Sequence, residues 1–196
     1  MAVNASRGFS LLEMLFVVLI AMTVTAIAIP MSGNILGYFR LAGDARAVSN
    51  AVAVTKMRAA SDFTRARLYF DLAAKTHHME TYVKTGTPGW AVRGGTTNLS
   101  QGVSPGFLSL ATPPPNTQTA IGQAAPCLDN ANAPVANTAC LIFNSRGVPV
   151  DTTGAPTADD AIYLTDGTGV YTVTAAASGM IQLWRSGPTV AEWVRQ

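Results

Sequence analysis

The feature that most constrains this chain is an apolar run over residues 9–29, whose polar side chains are Ser10, Glu13, Thr23 and Thr25. As a helix rising about 1.5 Å per residue, such a run spans roughly 30 Å, the thickness of the hydrocarbon core of a bilayer. A secretory signal peptide would have a shorter apolar core, followed by a cleavage site of small residues. The run therefore predicts a membrane-spanning helix over 9–30.

The charges that flank this helix predict its orientation. Arg7 and the N-terminal amine precede it, and the next basic residue along the chain is Arg40. Because positively charged flanks stay in the cytoplasm, the N-terminus is predicted to be cytoplasmic and the rest of the chain to lie outside. The net charge is +2, from 13 basic and 11 acidic residues, so no strong overall field favours nucleic acid.

Glu13 is the residue of this helix that needs an explanation. A carboxylate at membrane depth is costly, so its presence indicates a partner. If the chain were cut between Gly8 and Phe9, the new α-amino group would lie about one helical turn from Glu13. The ammonium of one copy could then pair with Glu13 of a neighbouring copy and set the register between packed helices.

The stretch RGFSLLE, from Arg7 to Glu13, followed by an apolar helix, resembles the signature of type IV prepilins. The resemblance implies that a prepilin peptidase removes residues 1–8 as a leader, cutting after Gly8, and N-methylates Phe9. It also implies a bacterial inner-membrane protein with a periplasmic domain, which later enters a pilus or pseudopilus. Its partners would be other pilin or pseudopilin subunits, the inner-membrane assembly platform with its ATPase, and membrane lipid before assembly.

A second helical segment is predicted over 31–62. Pro30 lacks an N–H group and clashes with the preceding turn, so we expect a kink or local opening there. Beyond it, residues recur at alternating spacings of four and three, which describes one face of an amphipathic helix ending near Ser61 or Asp62. The residues of that face are Leu41, Ala45, Val48, Val52, Thr55 and Ala59. This face is predicted to pack on a globular domain.

Patterns of period two then predict a β-rich domain of five or six antiparallel strands over 63–196, and the whole is an α+β fold. The predicted strands are 65–72, 76–83, 140–150 (a strand and turn), 161–165, 170–175 and 181–185. The stretch 86–139 is rich in Pro, Gly, Asn, Thr and Ala. It is predicted to be a long irregular insertion with one or two short strands, such as 106–111.

The order of these elements resembles the GspH/FimT branch of pseudopilins and minor pilins. The resemblance lies in ARLYFDLAAKT, IFNSRGVP and the closing IYLTDGTGVYTVTAAASGMIQLWR, and it covers most of the chain outside 86–139. It implies the pilin fold, in which the second half of a long N-terminal helix packs on an antiparallel β-sheet. The implied function is a minor pilin or pseudopilin of a type IV pilus or a type II secretion system.

Cys127 and Cys140 are predicted to form a disulfide, because they lie in a part expected to be exported, where disulfides persist. Such a bond would staple the insertion to the strand that starts at residue 140. Two cysteines cannot make a tetrahedral zinc site unless histidines join them, and the adjacent His77 and His78 would point to opposite faces of a strand. We therefore expect no metal and no cofactor.

Catalysis is not predicted either. Asp159, Asp160 and Asp166 lie in turn-like contexts, where Asp commonly accepts hydrogen bonds from its own backbone. The sequence has no phosphate-binding P-loop. We expect a structural subunit rather than an enzyme.

Two alternative functions stay open at this point. Some members of the FimT-like group bind DNA through a Gly-Arg-x-Arg tract, but the matching stretch here, from Gly179, reads GMIQ. Trp184, Arg185 and Arg195 could still stack on bases; we favour instead a Trp184 that closes the core and a solvated Arg185. The chain would then be a DNA-uptake receptor at a pilus tip or, through 86–139, an adhesin or substrate-binding tip subunit.

Overall fold

The structure is a computed structural model that describes residues 10–196, with the backbone alone described at 29–35. It divides into two units, the first ending at Gly37 and the second being Tyr38–Gln196. One helix, α1 (Leu11–Ser61), runs through both. The leader at 1–8 and Phe9 lie outside the described residues. The backbone is helical at Pro30 and on both sides of it, and the kink expected there stays a prediction.

The second half of α1 buries the face that the sequence pattern predicts. The six residues of that face are each 1% exposed or less: Leu41, Ala45, Val48, Val52, Thr55 and Ala59. Thr55 can be buried among apolar groups because its hydroxyl donates to the carbonyl of Ala51 at 2.7 Å. The predicted amphipathic helix is therefore confirmed.

The helix ends at Ser61, where the sequence predicts its end. Phe63 takes a left-handed backbone conformation (φ 48°). The N–H of Thr64 then donates to the carbonyl of Ala59 at 3.1 Å. This pattern stops a helix by satisfying carbonyl groups that the next turn would otherwise need.

Within residues 10–196 ten strands follow the helix, all paired antiparallel in two five-stranded sheets. The strands are β1 (Ala66–Asp71), β2 (Thr76–Val83), β3 (Gly89–Asn98), β4 (Ser104–Pro105), β5 (Thr138–Phe143), β6 (Pro149–Val150), β7 (Asp160–Thr165), β8 (Val170–Ala175), β9 (Ile181–Ser186) and β10 (Val194–Arg195). The first sheet has the order β3-β2-β1-β5-β6 and the second β10-β9-β8-β7-β4. The α+β class is confirmed. The expectation of five or six strands is wrong, because β4, β6 and β10 are too short to show a period and the longer β3 was also missed.

The main core lies between the helix and both sheets. The first sheet contributes alternate residues of β1 and β5, including Phe70 and Leu141, and the second contributes residues of β7 and β8, including Ile162 and Val173. Every residue of β5, β7 and β8 is buried. These strands are therefore covered on their outer faces as well, and part of the cover comes from the insertion.

The predicted strand at 106–111 is wrong. Gly106 and Leu108 both have positive φ (155° and 53°), so the backbone cannot be extended there. The apolar residues of this segment pack instead on the outer face of the second sheet, where Phe107 and Leu110 join Tyr163 in a second apolar cluster. The alternating apolar residues of 106–111 therefore do not form a strand. They cover the outer face of β7 instead.

β3 is the longest strand that the sequence pattern missed within 86–139. Its residues include Gly89, Gly94, Gly95 and Asn98, and glycine and asparagine are depleted in strands. It pairs with β2 through an irregular register between His77 and Met79, and Gly94 takes a positive φ of 81°. A bulged edge strand of this kind carries no clean period of two.

Lys56 on α1 holds together one turn from each sheet. Its ammonium donates to the carbonyl of Gly179 at 2.8 Å, and Gly179 lies in the turn between β8 and β9. A Cβ on Gly179 would lie 2.4 Å from the carbonyl oxygen of Gly147, in the turn between β5 and β6. Glycine is required at 179 by this close approach and by its φ of 79°.

Gly179→Ala should therefore destabilise the domain by about 2 kcal/mol or more, because a Cβ would separate the two turns and strain the backbone. Gly43→Ala is the matched control, since Gly43 lies on α1 and a Cβ there meets open space. It should stabilise the helix by about 0.5–1 kcal/mol. Urea unfolding of the full chain in detergent measures both, and equal effects of the two substitutions would contradict the contact.

Candidate assembly interface

Among the described residues of the first unit, one helical stretch is long and apolar enough to cross a membrane: Leu11–Ala28, with a mean hydropathy of 2.4 and no part of it buried. Its large apolar side chains from Leu11 to Ile27 are 50–83% exposed. A surface of this size does not stay in water. The helix therefore fits a single-pass membrane anchor, as the sequence predicts for 9–30.

The threonines of this helix are satisfied by the helix itself. The hydroxyl of Thr23 donates to the carbonyl of Ile20 at 2.8 Å, and that of Thr25 donates to the carbonyl of Ala21 at 2.7 Å. Such bonds let a hydroxyl lie in an apolar medium without an outside partner. Neither threonine therefore requires a second chain.

Glu13 differs from these threonines because its carboxylate finds nothing to bind. It lies exposed in the first turn of α1 and makes neither a side-chain hydrogen bond nor an ion pair within residues 10–196. The other residues assigned to processing, Gly8 and the methylation site Phe9, lie outside the described part of the chain. The geometry that the prepilin resemblance implies around Glu13 therefore stays a prediction.

The three residues considered for DNA contact lie near one another on β9 and β10. Arg195 is paired in register with Trp184, and Val194 with Arg185. Trp184 is half-buried and its indole N–H donates to Thr174 at 3.2 Å, whereas Arg185 is exposed and its guanidinium carbon lies 4.9 Å from the centre of the Tyr38 ring. Trp184 is thus tied to its own sheet rather than presented as a free stacking surface.

Cys127 and Cys140 form the predicted disulfide, with their Cα atoms 5.0 Å apart. The bond ties the insertion to β5, and both cysteines belong to a small buried cluster with Ile142 and Val150 on the outer face of the first sheet. The insertion is therefore packed on both sheets: around Cys127 on the first, and around Leu110 on the second. This packing gives 86–139 a structural role.

The adjacent histidines point to opposite faces of β2, as expected. His77 is buried and stacks on Phe70 with ring centres 5.5 Å apart, whereas His78 stacks on Tyr69 on the outer face. Burial lowers the pKa of His77, so protonating it as pH falls below about 6.5 opposes folding. Among residues 10–196 no group of three His, Cys, Asp or Glu side chains could hold a metal ion.

One serine sits in a sequence pattern associated with hydrolases. Residues 102–106 read GVSPG, which matches G-x-S-x-G. The nucleophile of that motif needs a sharp turn from a strand into a helix. Ser104 instead begins β4, which is two residues long, and the segment continues into the turns that cover the second sheet.

Asp160 is a buried carboxyl group that the sequence pattern misplaced. The sequence predicts a turn there, but Asp160 is the first residue of β7 and is 6% exposed, and among residues 10–196 its Oδ2 atom has no hydrogen-bond partner. Burial, followed by the charges of Asp159 and Asp151, raises its pKa to about 7. Asp166, by contrast, lies in the expected turn and accepts a hydrogen bond from the N–H of Thr168.

Comparisons with known proteins give two structural similarities. No protein-family model matches the sequence, and no curated protein matches it either. Two solved structures of the minor pseudopilin EpsH from the type 2 secretion system of Vibrio cholerae resemble the chain, at 15% identity with a TM-score of 0.40 and at 14% identity with a TM-score of 0.47. Each match extends over 76% of this chain, and over 98% and 97% of the two EpsH chains respectively. The function proposed below rests on the residues of this chain itself.

Asp160→Asn should change how stability depends on pH. The folded chain keeps a proton on Asp160 up to about pH 7, whereas the unfolded chain releases it near about pH 4. The contribution of Asp160 to the free energy of unfolding therefore falls as pH rises from about 4 to about 7. The free energy of unfolding of the variant should exceed that of the parent by roughly 2–4 kcal/mol at pH 8, and by less at pH 5.

Urea unfolding of the full chain in detergent at pH 5 and pH 8 measures this difference. Asp159→Asn is the control, since its exposed carboxylate contributes only as a neighbouring charge. The same gain for Asp160→Asn at both pH values would contradict the raised pKa.

We expect the chain not to bind DNA, because Trp184 is engaged with Thr174 and Arg185 with the Tyr38 ring. Fluorescence anisotropy of labelled single- and double-stranded DNA at low salt should show no saturable change. The opposite result would be binding that weakens with salt and is lost in an Arg185→Ala, Arg195→Ala variant but kept in Arg146→Gln. That outcome would restore the DNA-uptake hypothesis.

Proposed function

We propose that this chain is a structural subunit, a minor pilin or pseudopilin, of a type IV pilus or a type II secretion system. The observation that carries the proposal is Glu13, a carboxylate without a partner among residues 10–196, on a helix whose two threonines bond to their own backbone. A plain anchor has no use for such a group. A helix that leaves the bilayer to pack with copies of itself does.

The proposed sequence of events begins in the inner membrane. The precursor inserts with its N-terminus in the cytoplasm and its β-rich domain in the periplasm. A prepilin peptidase cuts between Gly8 and Phe9 and methylates the new amine of Phe9. The assembly platform and its ATPase then move the helix from lipid into a bundle of other subunits, where apolar burial stabilises packing.

Glu13 acts in the last step. In the bundle, the Phe9 ammonium of one subunit pairs with Glu13 of its neighbour, and one buried pair for each contact fixes the register between helices. No enzymatic step is assigned to the chain itself. The domain built on the second half of α1 is carried to the surface or the tip of the fibre.

Glu13→Ala should leave membrane insertion and cleavage intact while reducing incorporation into the fibre by about tenfold or more, because an unpaired ammonium would remain buried. Membrane fractionation and mass spectrometry of the mature N-terminus measure the first two steps. Cross-linking to the other subunits in cells measures the third.

Thr25→Ala is the matched control, since Thr25 bonds only within its own helix. It should leave all three steps unchanged. Normal incorporation of Glu13→Ala would contradict the role in register, and failure of that variant to insert would contradict the proposed order of events.

A further inference from the structure

A small polar pocket lies on the outer face of the first sheet, away from the assembly helix in sequence and in role. Its volume is about 60 Å³, and its walls include Arg65, Arg67, Tyr82, Trp90, Asn130 and Asn132. A cavity of this size holds a few water molecules or one compact polar group. Two arginines, two aromatic rings and two amides at one small site are more polar functionality than the packing of a sheet face requires.

Arg67 is satisfied by the protein. Its Nε donates to Glu80, which faces it across β1 and β2, and its Nη1 donates to the carbonyl of Leu128 at 2.6 Å. Its guanidinium carbon also lies 4.1 Å from the centre of the Trp90 ring. A buried charge with a carboxylate, a carbonyl and a ring around it has no remaining need for a ligand.

Arg65 has no such compensation. Its guanidinium carbon lies 4.6 Å from the centre of the Tyr82 ring and 5.8 Å from that of Trp90. Within residues 10–196 it makes neither a side-chain hydrogen bond nor an ion pair. Stacking on aromatic rings fixes the plane of a guanidinium and leaves its N–H edge available for a planar acceptor.

Asn130, which also lines the pocket, supplies a second donor. Its Oδ1 atom accepts the backbone N–H of Trp90 at 2.7 Å, which orients the side chain and leaves the Nδ2 hydrogens unused in the described chain. The amide lies so close to Gly89 that a Cβ there would be 2.9 Å from it. The position of this donor is therefore fixed by its contacts with Gly89 and Trp90 of β3.

The wall that carries Asn130 is held in place by several bonds. The disulfide of Cys127 ties its start to β5, and the carbonyl of Cys127 accepts the N–H of Val135 at 2.7 Å. Asp129 also lines the pocket, but its Oδ1 accepts the N–H groups of Ala131 and Ala133, both at 2.8 Å. The Asp129 carboxylate therefore stabilises its own loop. The side-chain N–H groups of Arg65 and Asn130 remain unused within the described residues.

We propose that this pocket binds a single carboxylate presented by an acidic peptide segment of a partner protein. A carboxylate offers two coplanar oxygens, which match the edge of the Arg65 guanidinium and the Asn130 amide. The rings of Tyr82 and Trp90 would cover the methylene groups that carry it. A more highly charged phosphate fits less well, because Glu80 and Asp129 are close and only one guanidinium is uncompensated. The proposal stands apart from fibre assembly through Glu13.

The test titrates the full chain in detergent with the peptide Ac-Gly-Glu-Gly-NH2, following the side-chain N–H signals of Arg65 and Trp90 by NMR. Both signals should shift saturably with the glutamate peptide. The peptide Ac-Gly-Gln-Gly-NH2, which lacks the charge, should leave them in place. Inorganic phosphate should compete poorly.

Variants assign the binding to the pocket. Arg65→Gln should weaken it by about tenfold or more, read from the Trp90 signal, because a charge-assisted hydrogen bond is lost. Gly89→Ala should weaken it without touching a charge, since it displaces Asn130. Arg146→Gln, an exposed arginine elsewhere, should bind as the parent does.

The proposal would be overturned by equal shifts with the glutamine peptide, by preference for phosphate, or by unchanged affinity in Arg65→Gln. Absence of any shift with the glutamate peptide would overturn it as well. None of these outcomes depends on whether the chain assembles into a fibre, because the measurement uses the isolated chain.

Discussion

The burial of one face of α1 between two β-sheets is the interaction on which the rest of the globular unit depends. The residues of that face are small or β-branched for the most part, as Ala45 and Val48 illustrate, and each is essentially without contact to solvent. Small residues let two sheets approach one helix closely, so a single stripe is shared by both. Lys56 extends the same arrangement, because its ammonium reaches a turn of one sheet while its stem lies against a turn of the other.

The insertion completes this arrangement by closing the gap between the sheets. The N–H of Ala124 donates to Ala161 of β7, and the carbonyl of Ala125 accepts the N–H of Cys140 in β5. The side-chain amide of Gln123 both donates to and accepts from the backbone of Tyr163, in the way a neighbouring strand would. A segment rich in Pro and Gly is thereby ordered without regular structure, because strand edges satisfy its polar groups.

The sequence predicted the structure best where the spacing of apolar residues matched the repeat of a helix or a strand. The spacing of Leu41 to Ala59 predicted the buried stripe of α1, and β2 and β8 have the bounds that alternation assigned to them. Prediction failed where contacts distant in sequence decide the structure. Nothing local to residues 106–111 shows that they cover a sheet.

The residues of the candidate sites also divide into those that the sequence reveals and those that only the fold brings together. Cys127 and Cys140 were predictable from compartment alone, and the lone carboxylate of Glu13 stands out in any apolar run. The pocket beside Arg65 was not predictable, since it joins β1, β3 and a loop that only the fold brings together. The burial of Asp160 was missed because an Asp-Asp pair before a strand has the composition of a turn.

Arg67 and Glu13 illustrate how the two units of the chain treat charge differently. In the globular unit the cost of burying Arg67 is offset by Glu80, a backbone carbonyl and aromatic rings, all supplied by the same chain. Around Glu13 the described residues from Ser10 to Gly37 carry no basic side chain, so none of them supplies a cation to this carboxylate. A carboxylate in such a place is stable in lipid only when it is neutral or when a cation pairs with it. The globular unit thus compensates Arg67 from within one chain, whereas the described residues offer no such compensation to Glu13.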